Sequence, residues 1–221
     1  MRAIFICLFF HIYAITLSGQ DAITFRNYSI LDVGKISIPS TLEIQSGEIK
    51  KLCDSLANAW NSEFSNDFLI PVSKAVFQQA GLNNNVKSSF NTYARIIISI
   101  TNSGAVGNSH DIKNASLEEM TEIDSILKDQ FELQMNNKNG FNSKILDWFG
   151  TERVEMKGWT ALRFSYSRVL NENPPVLVTV YRFYSNDKIF SVTLSYRMQD
   201  EILWKNSFDN IIKSFTLFSQ P

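Results

Sequence analysis

"FYSNDKIFSVTLSYRMQDEILWKNSFDNIIKSF", Phe183 to Phe215, is the stretch that decides the class of fold. Phe190, Val192, Leu194 and Tyr196 alternate with Ser191, Thr193 and Ser195. That is the two-residue period of a strand with one apolar face and one partly wet face, as in antiparallel sheets. Before it, "VLVTVYRFY" (Val176 to Tyr184) reads as a partner strand, and Ser185 to Lys188 supplies the turn residues. The period then switches. Trp204, Phe208, Ile211, Ile212 and Phe215 fall on one helical face behind Asp200, a residue type that caps helix N-termini. The stretch reads as a hairpin with a helix laid over its apolar side, its patterned residues spent on burial.

The same pattern extends upstream. "WTALRFSY" (Trp159 to Tyr166) sets Ala161, Arg163 and Ser165 against Leu162, Phe164 and Tyr166, and Asn171 to Pro175 makes a turn. "SKAVFQQA" (Ser73 to Ala80) and "YARIIISIT" (Tyr93 to Thr101) read as strands rich in β-branched or aromatic residues. "VGKISI" (Val33 to Ile38) is a short strand ended by Pro39, which has no ladder donor, and "STLEIQ" is its kinked continuation. Asp21 to Asp32 fits either an ordered strand or a tether.

Two further helices stand out. Ile49, Leu52, Cys53, Leu56 and Trp60 form one face behind Ser46 as N-cap. Leu117, Met120, Ile123, Leu127 and Phe131 form another, behind the capping box Ser116/Glu119. The second helix has an acidic polar face, unlike the basic face of a membrane-surface helix, and "NNKNG" closes it. Asn102 to Ser116, "NSGAVGNSHDIKNAS", is loop by composition.

The ending "YRFYSNDKIFSVTLSYRMQDEILWKNSFDNIIKSF", with its closing pair Ser214-Phe215, resembles the last unit of the PsbP-like fold, named for the extrinsic subunit P of photosystem II. "AVFQQAGLN" followed by "ARIIISI" looks like the family's central strands, and the likeness covers most of Val33 to Phe218. It is a likeness of pattern without a diagnostic motif. It implies an α+β fold in which a central antiparallel β-sheet is sandwiched by α-helices. It also implies kinship with mainly non-enzymatic binding, assembly or envelope proteins. Fold analogy alone assigns no function, and no site residue is carried over.

The chain has 221 residues, 44% hydrophobic and 19% charged, with 17 Phe, 7 Tyr and 4 Trp. That is the composition of a globular chain with a real core. The formal charge is −1 and the basic residues are scattered, Lys50-Lys51 being their densest group. Nucleic acid is therefore not an expected partner.

"MRAIFICLFFHIYAITLSGQDA" opens with Arg2, then an apolar run from Ala3 to Leu17, then Ser18 and Gly19. This is the layout of a cleaved secretory signal over residues 1–19, followed by a single α+β domain over 20–221, with an uncleaved N-terminal anchor as the alternative. The run falls short of the roughly 18–20 residues that a membrane span needs. Cys7 sits in the middle of the run, the wrong place for a lipid-bearing cysteine. Loss of the signal leaves 20 basic and 22 acidic residues, a charge of about −2. It also leaves one cysteine, Cys53, and one histidine, His110, so no intrachain disulfide forms. Export without disulfides suits a Gram-negative periplasm better than a small secreted scaffold. In that setting the sequons Asn27-Tyr28-Ser29 and Asn114-Ala115-Ser116 carry little meaning.

Few residues point to chemistry. Cys53 lies in an apolar helix stripe, where a free cysteine behaves as a small buried hydrophobe. As a nucleophile it needs a base in reach, and His110 is its one thiol–imidazole partner. His110 with Asp111 offers two ligands where zinc takes three or four. Glu118, Glu119, Asp124 and Asp129 sit at helical spacing, as on a solvated face. The nucleophile elbow, dinucleotide fingerprint, P-loop and EF-hand patterns are missing, and "SGAVGN" has only two glycines three apart.

No catalytic, cofactor-binding or metal residue is assigned, and no cofactor is expected. The sequence is read as an exported, non-catalytic binding or assembly module of the bacterial envelope. Its partner is expected to be another envelope protein or a small ligand, with no membrane span after signal cleavage. A groove between the Asn102–Ser116 loop and the sheet is the expected contact region. The alternative is a carboxylate-based hydrolase or lyase acting on an envelope or sugar substrate, which requires two acids converging in a cleft.

Overall fold

A computed structural model describes residues 23–63, 71–102, 109–136, 143–185 and 187–218. The segment read as a signal, 1–19, lies outside them, as does most of the "NNKNG" turn. Ten strands appear among the described residues: β1 (Phe25–Ile30), β2 (Gly34–Pro39), β3 (Leu42–Ile44), β4 (Val72–Gln79), β5 (Ala94–Asn102), β6 (Ser143–Met156), β7 (Trp159–Leu170), β8 (Val176–Ser185), β9 (Lys188–Arg197) and β10 (Thr216–Leu217). The helices are α1 (Gly47–Glu63), α2 (Ser109–Asn114), α3 (Leu117–Asn136) and α4 (Glu201–Ser214). A seven-stranded antiparallel sheet runs β3-β4-β5-β9-β8-β7-β6, beside a three-stranded sheet β1-β2-β10.

The stretch from Phe183 to Phe215 folds as its periods require. β8 and β9 pair from Val176 opposite Arg197 to Ser185 opposite Lys188. β9 then pairs with the much earlier β5, from Ala94 opposite Tyr196 to Asn102 opposite Lys188. α4 buries Trp204, Phe208, Ile211 and Ile212 against the apolar face of this sheet. Phe215 follows, its ring 5.4 Å from that of Phe183. The expected cap differs. The Asp200 carboxylate makes no cap bond to α4 and instead accepts the Tyr93 backbone N–H at 3.0 Å. The Trp204 indole N–H donates to Thr92 at 2.7 Å, so the helix start is tied to the entrance of β5.

"VGKISI" and "STLEIQ" become strands of different sheets, because the chain turns away at Pro39. The segment left open between strand and tether contains β1, paired along β2 from Phe25 opposite Pro39 to Ile30 opposite Gly34. β10 joins β2 closely enough that a Cβ on Gly34 would fall on the Thr216 carbonyl oxygen. This small sheet adds Ile30, Val33, Ile36 and Ile38 to the α4-side core.

β6 has no clear period in the sequence. It is an edge strand carrying Lys144, Asp147, Glu152, Arg153 and Glu155, with register shifts near Asp147 and Thr151. Charges and bulges are what protect an exposed edge from pairing with another chain. Its hairpin to β7 places Lys157 (φ 48°) and Gly158 (φ 88°) between the paired Met156 and Trp159. Two left-handed residues in a two-residue loop match the strand twist.

The second face of the sheet carries a separate apolar cluster. Ile112 of α2 with Met120 and Leu127 of α3 pack on Leu162, Phe164, Val178 and Val180. The central antiparallel sheet is thus sandwiched by helices, α4 on one side and α2 with α3 on the other, in an α+β fold. No helix among the described residues is long and apolar enough to cross a membrane.

Candidate functional site

α2 and α3 cover only the β6–β7–β8 end of the second face. A helix is about 10 Å across, whereas seven strands at about 4.8 Å spacing span close to 30 Å. Beside these helices, among the described residues, lies a groove of about 390 Å³. Gln130 and Phe131 of α3 form one wall, and the floor crosses β8, β9, β5 and the start of β4.

Strand register organises this floor. Arg182 lies opposite Ser191, Ser191 opposite Ser99, and Ser99 opposite Ser73. These four lining residues make one polar row across four strands, about 14 Å long at normal spacing. The next row is Val180, Thr193 and Ile97, with Ile189 and Thr101 paired on the other side. The floor therefore alternates a hydroxyl row with more apolar ones. Among the described residues the lining has no carboxylate.

Arg182 is held by rings. Its Cζ lies 5.5 Å from the Phe131 ring centre and 5.3 Å from that of Phe164, within cation–π range. Those rings belong to an aromatic cluster in which Trp148 stacks on Phe164 and Tyr166 at 5.5 and 5.9 Å. Phe131 meets Phe164 edge-on at 5.2 Å. Arg182 has no hydrogen bond or ion pair among the described residues, nor do the hydroxyls of Ser73, Ser99 and Ser191 have hydrogen-bond partners there. Burial pushes the Tyr166 hydroxyl up to about 12, against the opposing pull of Arg168 and Arg182. It stays neutral at ordinary pH, as a hydrogen-bonding group rather than an anion. Arg95 continues the same strand face beyond Ile97, and its buried Nε has no hydrogen-bond partner among the described residues.

The groove reaches Thr101, next to the start of the Asn102–Ser116 segment that was expected to border the contact region. Residues 103–108 lie outside the description, and 109–114 form α2 instead of loop. Ile112 gives that helix its buried side, and Arg153 binds the Lys113 and Ala115 carbonyls at 2.7 and 2.9 Å, closing its C-terminal end. Among the described residues, the wall facing the sheet is α3. The stretch read as fold alone supplies Ile189, Ser191 and Thr193 to the floor. Its alternation signalled a partly wet face, and that face is the groove. Arg182, a guanidinium inside the apolar strand "VLVTVYRFY", was the other signal in the sequence.

The residues weighed for chemistry are held apart or otherwise engaged. Cys53 accepts a hydrogen bond from Gln45 Nε2 at 3.4 Å, and Gln45 reaches Gln78 of β4 at 3.0 Å. His110 lies on α2, over β7 and β8, with its Nε2 2.9 Å from Asn114 Nδ2. β5 and β9 separate those two ends of the sheet. Glu119 completes the capping box, its carboxylate accepting the Ser116 N–H at 2.6 Å while Ser116 Oγ accepts the Glu119 N–H at 3.1 Å. These bonds, the backbone one first, hold the Glu119 carboxyl below its ordinary value. Asp124 accepts the Trp148 indole N–H at 2.9 Å. No group of three metal-ligating side chains occurs among the described residues.

No protein-family model matches the chain, and no curated protein sequence does. Solved structures similar to it include the cyanobacterial PsbP (CyanoP) of Synechocystis sp. PCC 6803, 13% identical with a TM-score of 0.48, covering 90% of this chain and 96% of that chain. LpqN of Mycobacterium tuberculosis, described as involved in cell envelope biogenesis, is 11% identical with a TM-score of 0.44, covering 91% and 93%. The Ran-binding protein Mog1p of Saccharomyces cerevisiae is 10% identical with a TM-score of 0.41, covering 89% and 96%. The first bears the name of the family that the closing unit resembles, and no role is transferred from any of the three.

Proposed function

We propose that the protein is an exported binding module of the bacterial envelope, a single α+β domain after signal removal, that takes a small ligand in the groove over β4, β5, β9 and β8. The observation that carries this reading is the row of Arg182, Ser191, Ser99 and Ser73, lining a space of about 390 Å³ with its polar groups unpartnered among the described residues. A ligand that covers these groups must supply the partners they otherwise take from water, so a concave surface with several of them is a place for a ligand that carries polar groups of its own. Two of the acids that a carboxylate-based hydrolase would draw on are engaged, Glu119 in a helix cap and Asp124 with an indole.

The test has two arms. The protein recovered from a fractionated Gram-negative host is expected in the envelope with a mature N-terminus near Gln20. Cytoplasmic protein that retains Met1 would remove the export half. A metabolite screen read by methyl NMR is expected to move Ile97, Val180 and Ile189 together. Ligands that perturb only other surfaces would remove the groove half.

A further inference from the structure

Resting on that reading of the groove, we propose that its ligand is a hydroxylated organic oxyanion, a sugar acid or sugar phosphate, with the anionic head on Arg182. The hydroxyls then follow the row Ser191, Ser99 and Ser73.

Three observations converge. The first is the state of Arg182. Ring contacts at 5.5 and 5.3 Å fix the guanidinium, while its N–H donors meet no acceptor among the described residues. A planar fork already held in place loses little freedom on binding, and it suits carboxylate or phosphate oxygens in two-point contact. The second is the sign of the field. The lining holds no carboxylate among the described residues, Tyr166 stays neutral, and Arg95 and Arg168 share the sheet face with Arg182. A cationic ligand would meet repulsion there.

The third is the row itself. An alkyl chain laid along it would bury three hydroxyls without partners, and leaving such groups unpaired costs more than the apolar contact returns. A ligand with hydroxyls along its length satisfies them. The flanking Ile97, Val180 and Ile189 give its ring carbons an apolar surface. The row spans about 14 Å, longer than one sugar ring and close to two.

The experiment uses the protein lacking residues 1–19 and methyl NMR titrations with five probes: glucuronate, glucose 6-phosphate, glucose, glucosamine and octanoate. The expected result is movement of the Ile97, Val180 and Ile189 methyls by glucuronate or glucose 6-phosphate. Binding of glucose and glucosamine should be at least tenfold weaker. The preferred anion identifies the head group as carboxylate or phosphate. Arg182→Met should weaken the anion at least tenfold, the loss of one charge-assisted contact. Arg182→Lys, which keeps the charge without the fork, should fall between. Equal binding of glucose and the anions, or tighter binding of octanoate, overturns the ligand class while the groove reading stands. Groove methyls that none of the five probes moves overturn both.

Discussion

The Ser214 hydroxyl accepts the Ser37 backbone N–H at 2.9 Å across 177 residues, while donating to the Ile211 carbonyl at 2.6 Å. One side chain at the end of α4 thereby fastens the helix to β2, and Phe215 beside it fills the core at 2% exposure. Ser214→Ala leaves a half-buried N–H without its acceptor. The expected loss is about 1–3 kcal/mol, the cost of a desolvated donor left unpaired. Phe215→Ala should lose about 3–5 kcal/mol through the cavity it opens. Urea unfolding checks both, and a Ser214→Ala variant as stable as the parent would show that water replaces the hydroxyl.

Gly34 sits where β10 crosses β2, with the Thr216 carbonyl in the place a Cβ would need. Gly34→Ala must push β10 away. The expected cost is about 1–3 kcal/mol, the range for overpacking a close contact. The Phe218 N–H, bonded to the Val33 carbonyl at 2.9 Å, should lose hydrogen-exchange protection before the rest of the molecule does. Uniform loss across the sheet instead would mean that β10 does not open independently.

The fold was legible where one period dominates. β9 alternates cleanly because α4 covers one of its faces and the groove lies on the other, so its serines and threonine are both pattern and site. The 116–119 capping box was legible because its two partners are three residues apart. What was hidden depends on distant pairing. Asp200 is spent on the Tyr93 amide, 107 residues away, and nothing local distinguishes that from a helix cap. β6 carries edge charges that blur its period. The polar row was hidden for the same reason, since Arg182, Ser191, Ser99 and Ser73 meet only through the β8–β9–β5–β4 register.

The Trp148 indole donates to Asp124, joining edge strand β6 to α3 beside the aromatic cluster that holds Arg182. Asp124→Asn keeps an acceptor oxygen and should change stability by only a few tenths of a kcal/mol. Asp124→Ala leaves the indole N–H unpaired and should cost about 1–2 kcal/mol, with a shift in Trp148 fluorescence. Neither variant should change groove binding by more than a few-fold if this acid is structural. A loss of binding as large as that of Arg182→Met would instead place Asp124 in the site.

Tyr166 gives the fold an alkaline limit. Burial first, offset in part by Arg168 and Arg182, lifts its hydroxyl from 10 to about 12. The neutral form is the one the native state favours. Its contribution is therefore complete below pH 10 and is lost as pH rises toward 12, about 2–3 kcal/mol in all. Tyr181 and Tyr196 are raised by burial as well and act in the same direction. Tyr166→Phe removes the largest share, so its stability should fall less steeply between pH 10 and 12 than that of the parent. Unfolding free energies at pH 8, 10 and 11.5 measure this, and parallel curves for the two proteins would mean that Tyr166 ionises as readily folded as unfolded.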